Sequence, residues 1–334
     1  MTPTIKLTRR GFAGVAAGLL AAPAVANRAF AAGSGAWPDR PVRMVVPFGA
    51  GGAIDTLARA FGQRFPEFAN GQPLVIENRS GAGGMVAGAF VTTQPADGYT
   101  LMMADIGANA LGKVLNPRIT YDPMTGFTPL MHLVNLHAVL AASPALRPQS
   151  VAEILEEARR RPDGLVYSSA GVGNGSHLFM ALLERQARVK MVHVPYRSGS
   201  ETVTAVMRGD AQLCFPTLSS ALSMIRGGQL RPVALGAGPS PILPQSPLMR
   251  DTLPGFDVAI WYGLAAPPGM EDALADRVNA VFGQIAALPE IRRAVEENQA
   301  GSIVGGSRQE FAAFIQREYE RWTPVIREGG ISLE

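Results

Sequence analysis

Cysteine is all but missing from this chain. Cys214 stands alone in 334 residues, which excludes an intrachain disulfide and a cysteine zinc site. It lies in the apolar run 211–215, where a buried, inert thiol is expected rather than a nucleophile. Histidine is scarce too. His132, His137, His177 and His193 show no metal-ligand spacing, and there is no His-Glu-x-x-His, so no metal and no metal cofactor is expected. The Gly-x-Ser-x-Gly elbow of one large hydrolase class does not occur. No basic stripe with interleaved aromatics is present, which argues against nucleic acid as a partner. No segment beyond the N-terminus holds 18 uninterrupted apolar residues, so the mature chain is expected to be soluble.

Acidic residues are absent from the first 31 positions, and what stands there is informative. Thr8-Arg9-Arg10-Gly11-Phe12 is a twin-arginine export pattern. An apolar stretch too short to span a bilayer follows at 12–22, and then small-residue cleavage sites at Ala24-Val25-Ala26 and Ala29-Phe30-Ala31. Residues 1–31 therefore read as a removable export signal, and the mature protein is expected in the periplasm. The signal carries Lys6, Arg9, Arg10 and Arg28. Removing those four from the 30 basic residues leaves a net charge of −1 against 27 acidic ones, so the basic character of the whole chain says little about partners.

The remaining chain alternates apolar β-branched runs with helical periodicity. Strands are expected at 42–47, 74–77, 99–103, 136–141, 166–168, 191–194, 212–215, 231–235 and 260–265. Ile54, Leu57, Ala58, Phe61 and Phe65 mark one face of a helix that Pro66 should stop. Further helices are expected at 85–92, 151–161, 177–188, 201–207, 218–225, 271–286, 289–297 and 307–327, with an irregular stretch at 109–129. Such alternation predicts an α/β protein with mainly parallel sheets in two β/α blocks. Ligands of open α/β sheets lie beyond the carboxyl ends of the strands, so two such sheets facing each other make a cleft.

The strongest site signal is a pair of glycine-rich turns. Phe48-Gly49-Ala50-Gly51-Gly52 follows the first strand, and Gly81-Ala82-Gly83-Gly84 follows the second. Each precedes a helix, whose free N–H groups and positive dipole end suit a small anion held by backbone. Asp55, in the first helical turn, either complements the dipole or orients a ligand group. In the second block Ser168, Ser169, Gly171, Gly173, Asn174 and Ser176 form a donor-rich turn. Ser176 is read as the N-cap of the next helix and His177 as a packing or cleft-wall residue rather than a general base. Tyr196 and Arg197 occupy the same place one strand later, where Arg197 could fork a carboxylate or face solvent. The first turn also suggests a dinucleotide fingerprint, with Glu77 as a ribose-binding acid, but Ile54 fills the third glycine position.

Taken in order along the chain, these motifs resemble the Bug-type substrate-binding proteins of tripartite tricarboxylate transporters. The matching residues begin with Trp37-Pro38-Asp39-Arg40-Pro41, then Pro47 through Gly52 with Asp55, and Glu77-Asn78-Arg79 with the second glycine turn. Asp97-Gly98-Tyr99-Thr100-Leu101, Tyr121-Asp122-Pro123 and Phe127-Thr128-Pro129 follow. Ser168-Ser169 with Gly173 and His177-Leu178, His193-Val194-Pro195-Tyr196 and Trp261-Tyr262-Gly263-Leu264 complete the set. The resemblance implies a two-lobed Venus-flytrap receptor of the periplasmic-binding-protein kind (type II-like), closing on a small carboxylated solute in an interlobe cleft. It implies delivery to the permease subunits of a tripartite transporter, a monomeric chain, no cofactor and no catalysis. Lobe one would be 37–130 with a return after about 228 to 334, and lobe two 131–227. One ligand carboxylate would lie between the two glycine turns, and lobe two would contribute Ser169, Gly173, Asn174, Ser176, Tyr196 and Thr217.

The chain departs from the family pattern at Ile54, Asp105, Ser198 and the pair Pro216-Thr217. Asp105, after the third strand, either favours an ammonium or hydroxyl group on the solute or caps a local turn. Two other readings stay open on residues alone. One is an exported oxidoreductase with a nucleotide or flavin at the glycine turns, and the other is a ligand sensor for a signalling partner.

Overall fold

A computed structural model describes residues 37–333, so the expected export signal lies outside the described residues. The first block runs β1 (Val42–Val46), α1 (Ala53–Phe68), β2 (Leu74–Asn78), α2 (Met85–Val91), β3 (Thr100–Ala104) and α3 (Gly112–Leu115). Next come β4 (Thr128–His137) and β5 (Val139–Ala142). The second block runs α4 (Val151–Arg160), β6 (Val166–Ser169), α5 (Gly175–Ala187), β7 (Val192–Pro195), α6 (Gly199–Arg208), β8 (Leu213–Cys214), α7 (Leu218–Arg226) and β9 (Arg231–Leu235). The chain ends with α8 (Met249–Thr252), β10 (Ala259–Ala266), α9 (Asp272–Ala287), α10 (Pro289–Arg293), β11 (Gly301–Gly305) and α11 (Arg308–Gly329).

These strands form two sheets, in the orders β11-β4-β10-β3-β1-β2 and β7-β6-β8-β5-β9. Each contains one parallel triplet, β2-β1-β3 and β7-β6-β8, built by crossover helices. The remaining pairings are antiparallel, so the sheets are mixed rather than mainly parallel. Alternation of strand and helix gave the triplets. It also gave the strand β10, expected at 260–265, but not its antiparallel place between β4 and β3, and it missed β11, a short strand of alternating half-exposed residues.

The change of sheet also falls elsewhere than the sequence suggested. β4 still belongs to the first sheet, so the crossing is at Ala138 rather than near 131, and β9 belongs to the second, so the return is at Val258 rather than 228. Apolar residues run almost unbroken from 130 to 142, which conceals the crossing. Three backbone segments meet there: Gly236 N–H donates to Ala138 O at 2.8 Å, and Val258 N–H to Gly236 O at 2.9 Å.

One face of the first sheet packs on α1 and α9, with Phe61, Phe65 and Phe282 in ring contact. Pro66 does not stop α1, which runs two residues further to Phe68. Helix α11 covers β4 and reaches α5 of the second block, where Trp322 meets Phe179 at 5.9 Å. Cys214 is fully buried, and burial pushes its thiol pKa up, as expected for an inert side chain. Among the described residues no helix is long and apolar enough to cross a membrane.

Candidate functional site

The carboxyl ends of the two parallel triplets face each other. From the first sheet come the turns after β1 and β2 and Asp105 after β3. From the second come residues 170–174 after β6, Tyr196 to Ser198 after β7 and Thr217 after β8.

The first two turns are held by one buried carboxylate. Asp55, only 2 % exposed, accepts from Gly51 N at 2.9 Å, from Arg59 Nε and Nη2 at 2.9 and 3.0 Å, and from Asn78 Nδ2 at 2.9 Å. Asn78 Nδ2 also donates to Phe48 O at 2.9 Å. Burial alone would raise the Asp55 pKa, but the bonds from Arg59, Gly51 and Asn78 and the guanidinium charge lower it below the usual carboxylate value. Both of its oxygens are thus engaged by protein donors. The second turn is backbone-strained: residues 81–84 all have positive φ, including Ala82 at 46°.

In the opposite loop the cap is Asn174, whose side chain accepts from Ser176 N at 2.9 Å. Ser176 is therefore not the N-cap. Asn and Ser both suit that role, and the extended Asn174 with helical Gly175 decides it. Ser176 Oγ instead accepts from Ala170 N at 3.0 Å and donates to Asn174 Oδ1 at 2.8 Å, which ties the loop to its own helix. His177 Nδ1 accepts from Gly173 N at 3.0 Å, and Ser169 Oγ pairs with His193 Nε2. The two imidazoles stack at 3.9 Å and 6°. Thr217 caps α7 and pairs with Ser220 Oγ at 2.7 Å. Tyr196 enters through its backbone, N–H to Ser169 O at 2.7 Å.

The cleft is closed. Gly49 N–H donates across it to Arg197 O at 3.4 Å, and Gly83 lies so close to the Val172 carbonyl that a Cβ would overlap it. Between the lobes a cavity of about 30 Å³ remains, bounded by Phe48, Gly52 and Ile54 on one side and Asn174, Ser176 and Thr217 on the other. Ile260 and Tyr262 of β10 form its floor, and Thr202 and Ser220 add hydroxyls. No Arg or Lys lines it. Ala50 and Gly51 face away from this cavity, toward a groove between α1 and α10. Arg197 is exposed, and Glu77 pairs with Arg43 and Arg79. The β10 residues and Asn78 lay in motifs legible in the sequence, but nothing there gave their roles. Thr202 and Ser220 sit in the first turns of α6 and α7, where no local signal marked them as cavity residues.

Asp105 follows the local-cap alternative: Oδ2 accepts from Gly107 N at 3.0 Å and Oδ1 from Ala108 N at 3.3 Å. It also borders a small void beside Asn174 and Tyr262. Burial raises its pKa to about 7 against those two bonds.

The histidine stack gives an acid-sensitive fold. Burial, helped by His193, lowers His177 to about 3, and burial lowers His193 to about 4. Both stay neutral while the unfolded chain protonates near pH 6.5. Their stabilisation is complete above about pH 6.5 and is lost as pH falls toward 4 and 3. At pH 4.5 each should cost about 2.5 kcal/mol relative to pH 7.5. His132, lowered to about 4 by burial, acts in the same direction, whereas Asp105 acts in the opposite one. Urea unfolding of wild type and His177→Gln/His193→Gln at both pH values measures the difference. An equal loss in both proteins would remove the stack as its cause.

A family model described as "Tripartite tricarboxylate transporter family receptor" matches residues 65–331. The chain is 32 % identical over 326 residues to the UPF0065 protein in the tcbD-tcbE intergenic region of Pseudomonas sp. (strain P51), covering 96 % of this chain and 94 % of the relative. It is 28 % identical over 301 residues to Protein BugT of Bordetella pertussis, covering 89 % and 92 %. Among solved structures it superposes on R. palustris Rpa4515 with adipate at a TM-score of 0.84 and 30 % identity, covering 89 % of this chain and 99 % of that one. With these likenesses along nearly its whole described length, the protein belongs to the tripartite tricarboxylate transporter family of receptors, in its Bug-type branch.

Proposed function

We propose that this receptor works in the periplasm, captures a small aliphatic carboxylate between its two sheets and hands it to a tripartite permease. The observation that carries the reading is the composition of the cleft wall. Phe48 and Gly52 of the first glycine turn and the start of α1 at Ala53 and Ile54 meet there with the hydroxyl and amide side chains of Ser176, Thr202, Thr217, Ser220 and Asn174. The second glycine turn stands outside the wall, and no cationic side chain lines the cavity. A carboxylate held this way gains roughly 1.5–3 kcal/mol per charge-assisted bond before ordering costs. The apolar faces of Phe48, Ile54 and Ile260 suit a methylene chain beside it. A third carboxylate would find no counter-charge, so a tricarboxylate fits this wall worse than a mono- or dicarboxylate. The 30 Å³ of the closed cavity is too small for such a solute, so loading requires the lobes to part at the three-segment junction of Ala138, Gly236 and Val258. Asp55 serves here as the positioning residue of both turns rather than as a ligand contact.

A thermal-shift panel of mono-, di- and tricarboxylates tests this, with nucleotides and flavins as the opposing arm. Binding to the native state stabilises by about 2.7 kcal/mol at a hundredfold excess over Kd. A plain dicarboxylate such as adipate should raise Tm by several degrees in wild type but not in Gly83→Ala, whose added Cβ would meet Val172 O, whereas any shift with citrate should be the same in both proteins. A panel in which only a nucleotide or flavin raises Tm would overturn the carboxylate reading in favour of the oxidoreductase.

A further inference from the structure

The second block carries a well-formed hollow apart from the cleft. A pocket of about 670 Å³ lies behind the cleft loop, between the carboxyl ends of α4 and α5 and the chain end at 329–332. That volume lies in the usual range for small-ligand sites.

The pocket is lined by His177 and His193, and the hydrogen bonds of His177 fix its chemistry. Its Nδ1 accepts from Gly173 N–H, so the neutral ring carries its proton on Nε2. His177 is 7 % exposed, and Nε2 has no hydrogen-bond partner among the described residues. A nearly buried donor is thus left for whatever occupies the pocket.

The charges around it favour an anion. Arg159, Arg185, Arg188 and Lys190 line the pocket against Glu184 and Glu328. Arg185 and Glu328 pair with each other. Glu184 is engaged by Met191 N–H at 2.7 Å and by the Tyr167 hydroxyl at 3.4 Å. Arg188 and Lys190 make no direct ion pair among the described residues. Basic residues at helix carboxyl ends complement the dipole. That role does not need a hollow of this size or an imidazole donor facing it.

We propose that this pocket is a second anion site, distinct from the solute cleft, for a small carboxylate or phosphate. One oxygen would accept from His177 Nε2 and the others would face Arg188 and Lys190. An occupant there stands one imidazole away from Gly173, on the loop that walls the cleft.

Titration calorimetry at low ionic strength tests the proposal, with citrate and inorganic phosphate as probes on the chain lacking residues 1–31. Exposed charges are screened by salt, so the ionic strength must be held fixed. Gly83→Ala, which disables the cleft, should leave the second site intact. Arg188→Asn/Lys190→Gln alters two exposed side chains, and Asn tolerates the left-handed backbone at 188. This pair should weaken binding at least tenfold while Tm stays unchanged. The His177 side-chain nitrogen resonance should move on titration. Saturation by citrate alone or phosphate alone identifies which anion the site takes. Absence of saturable binding by both probes, or equal affinity in wild type and the double variant, would overturn the proposal, as would loss of binding in Gly83→Ala.

Discussion

Replacing Gly83 with alanine should leave a folded receptor that cannot close. A Cβ at this position would overlap the carbonyl oxygen of Val172, in the loop of the opposite lobe. That oxygen is backbone, so no side chain can swing away to make room and the two loops must part. The residue also sits at φ +60°, where a Cβ adds strain of about 1 kcal/mol. Solute contacts made by the second lobe are then lost together, and affinity should fall at least about 100-fold, or about 2.7 kcal/mol. Gly51→Ala is the control. It has the same left-handed requirement, at φ +80°, but nothing lies within 4 Å of the added carbon. It should cost about 1 kcal/mol of stability and less than tenfold in affinity. Solution scattering supplies the structural readout. Wild type with saturating solute should keep the compact radius, and Gly83→Ala should stay expanded with or without it. Wild-type affinity in Gly83→Ala would mean that the loops do not meet in the bound state.

That contrast marks what the sequence could and could not carry. Both glycine turns were legible because a strand, a small-residue run and a helix follow one another locally. What separates Gly83 from Gly51 is a contact with Val172, 89 residues away in the chain, and no local pattern encodes it. The same holds for the fold. The strands and crossover helices of the parallel triplets were read nearly to the residue, because a crossover is a local alternation of periods, while the pairing that makes triplets in mixed sheets was not. The hinge was not, because the apolar run through Ala138 looks continuous whether its two halves share a sheet or not. Strand β11 escaped for the opposite reason. Gly301 to Gly305 buries little, and its partner β4 supplies the order.

The second block shows how capping chemistry can mislead. Gly173-Asn174-Gly175-Ser176 offers two good cap residues two positions apart. The structure uses both, Asn174 for the helix and Ser176 for the loop. Asp105 shows the same ambiguity in a carboxylate. A strand end suggested a ligand contact, yet two N–H groups of the following wide turn claim its oxygens. Side-chain direction, not position in the sequence, decides such cases.

Asp55 is where the largest loss of stability and function from a single side chain should coincide. Asp55→Ala removes one acceptor from four hydrogen bonds. Arg59 is half exposed and can turn to water, so its share is small. Gly51 N–H and Asn78 Nδ2 lie at the base of the turns and lose a charged acceptor. Asn78 keeps Phe48 O, while Gly51 keeps no protein acceptor among the described bonds. Stability should fall by about 2–3 kcal/mol. Affinity should fall with it, because only the Asn78 to Phe48 O bond is left to hold the two turns together. The Asp55 pKa is lowered, so its contribution is present above the ordinary carboxylate value near 3.8 and lost only as pH falls through the lower folded value. The loss on Asp55→Ala should therefore be constant from pH 5 to pH 8. Arg59→Ala should cost under about 1 kcal/mol and leave affinity near wild type. A double-mutant cycle of Asp55→Ala with Asn78→Ala separates the two readings of this carboxylate. Bracing of both turns predicts strong coupling, about 1 kcal/mol or more, because each variant alone already loosens the second turn. Dipole complementation predicts additive effects and a loss of about 0.3–1 kcal/mol for Asp55→Ala. Additivity with unchanged solute affinity would return Asp55 to the ordinary role of an acid in a first helical turn.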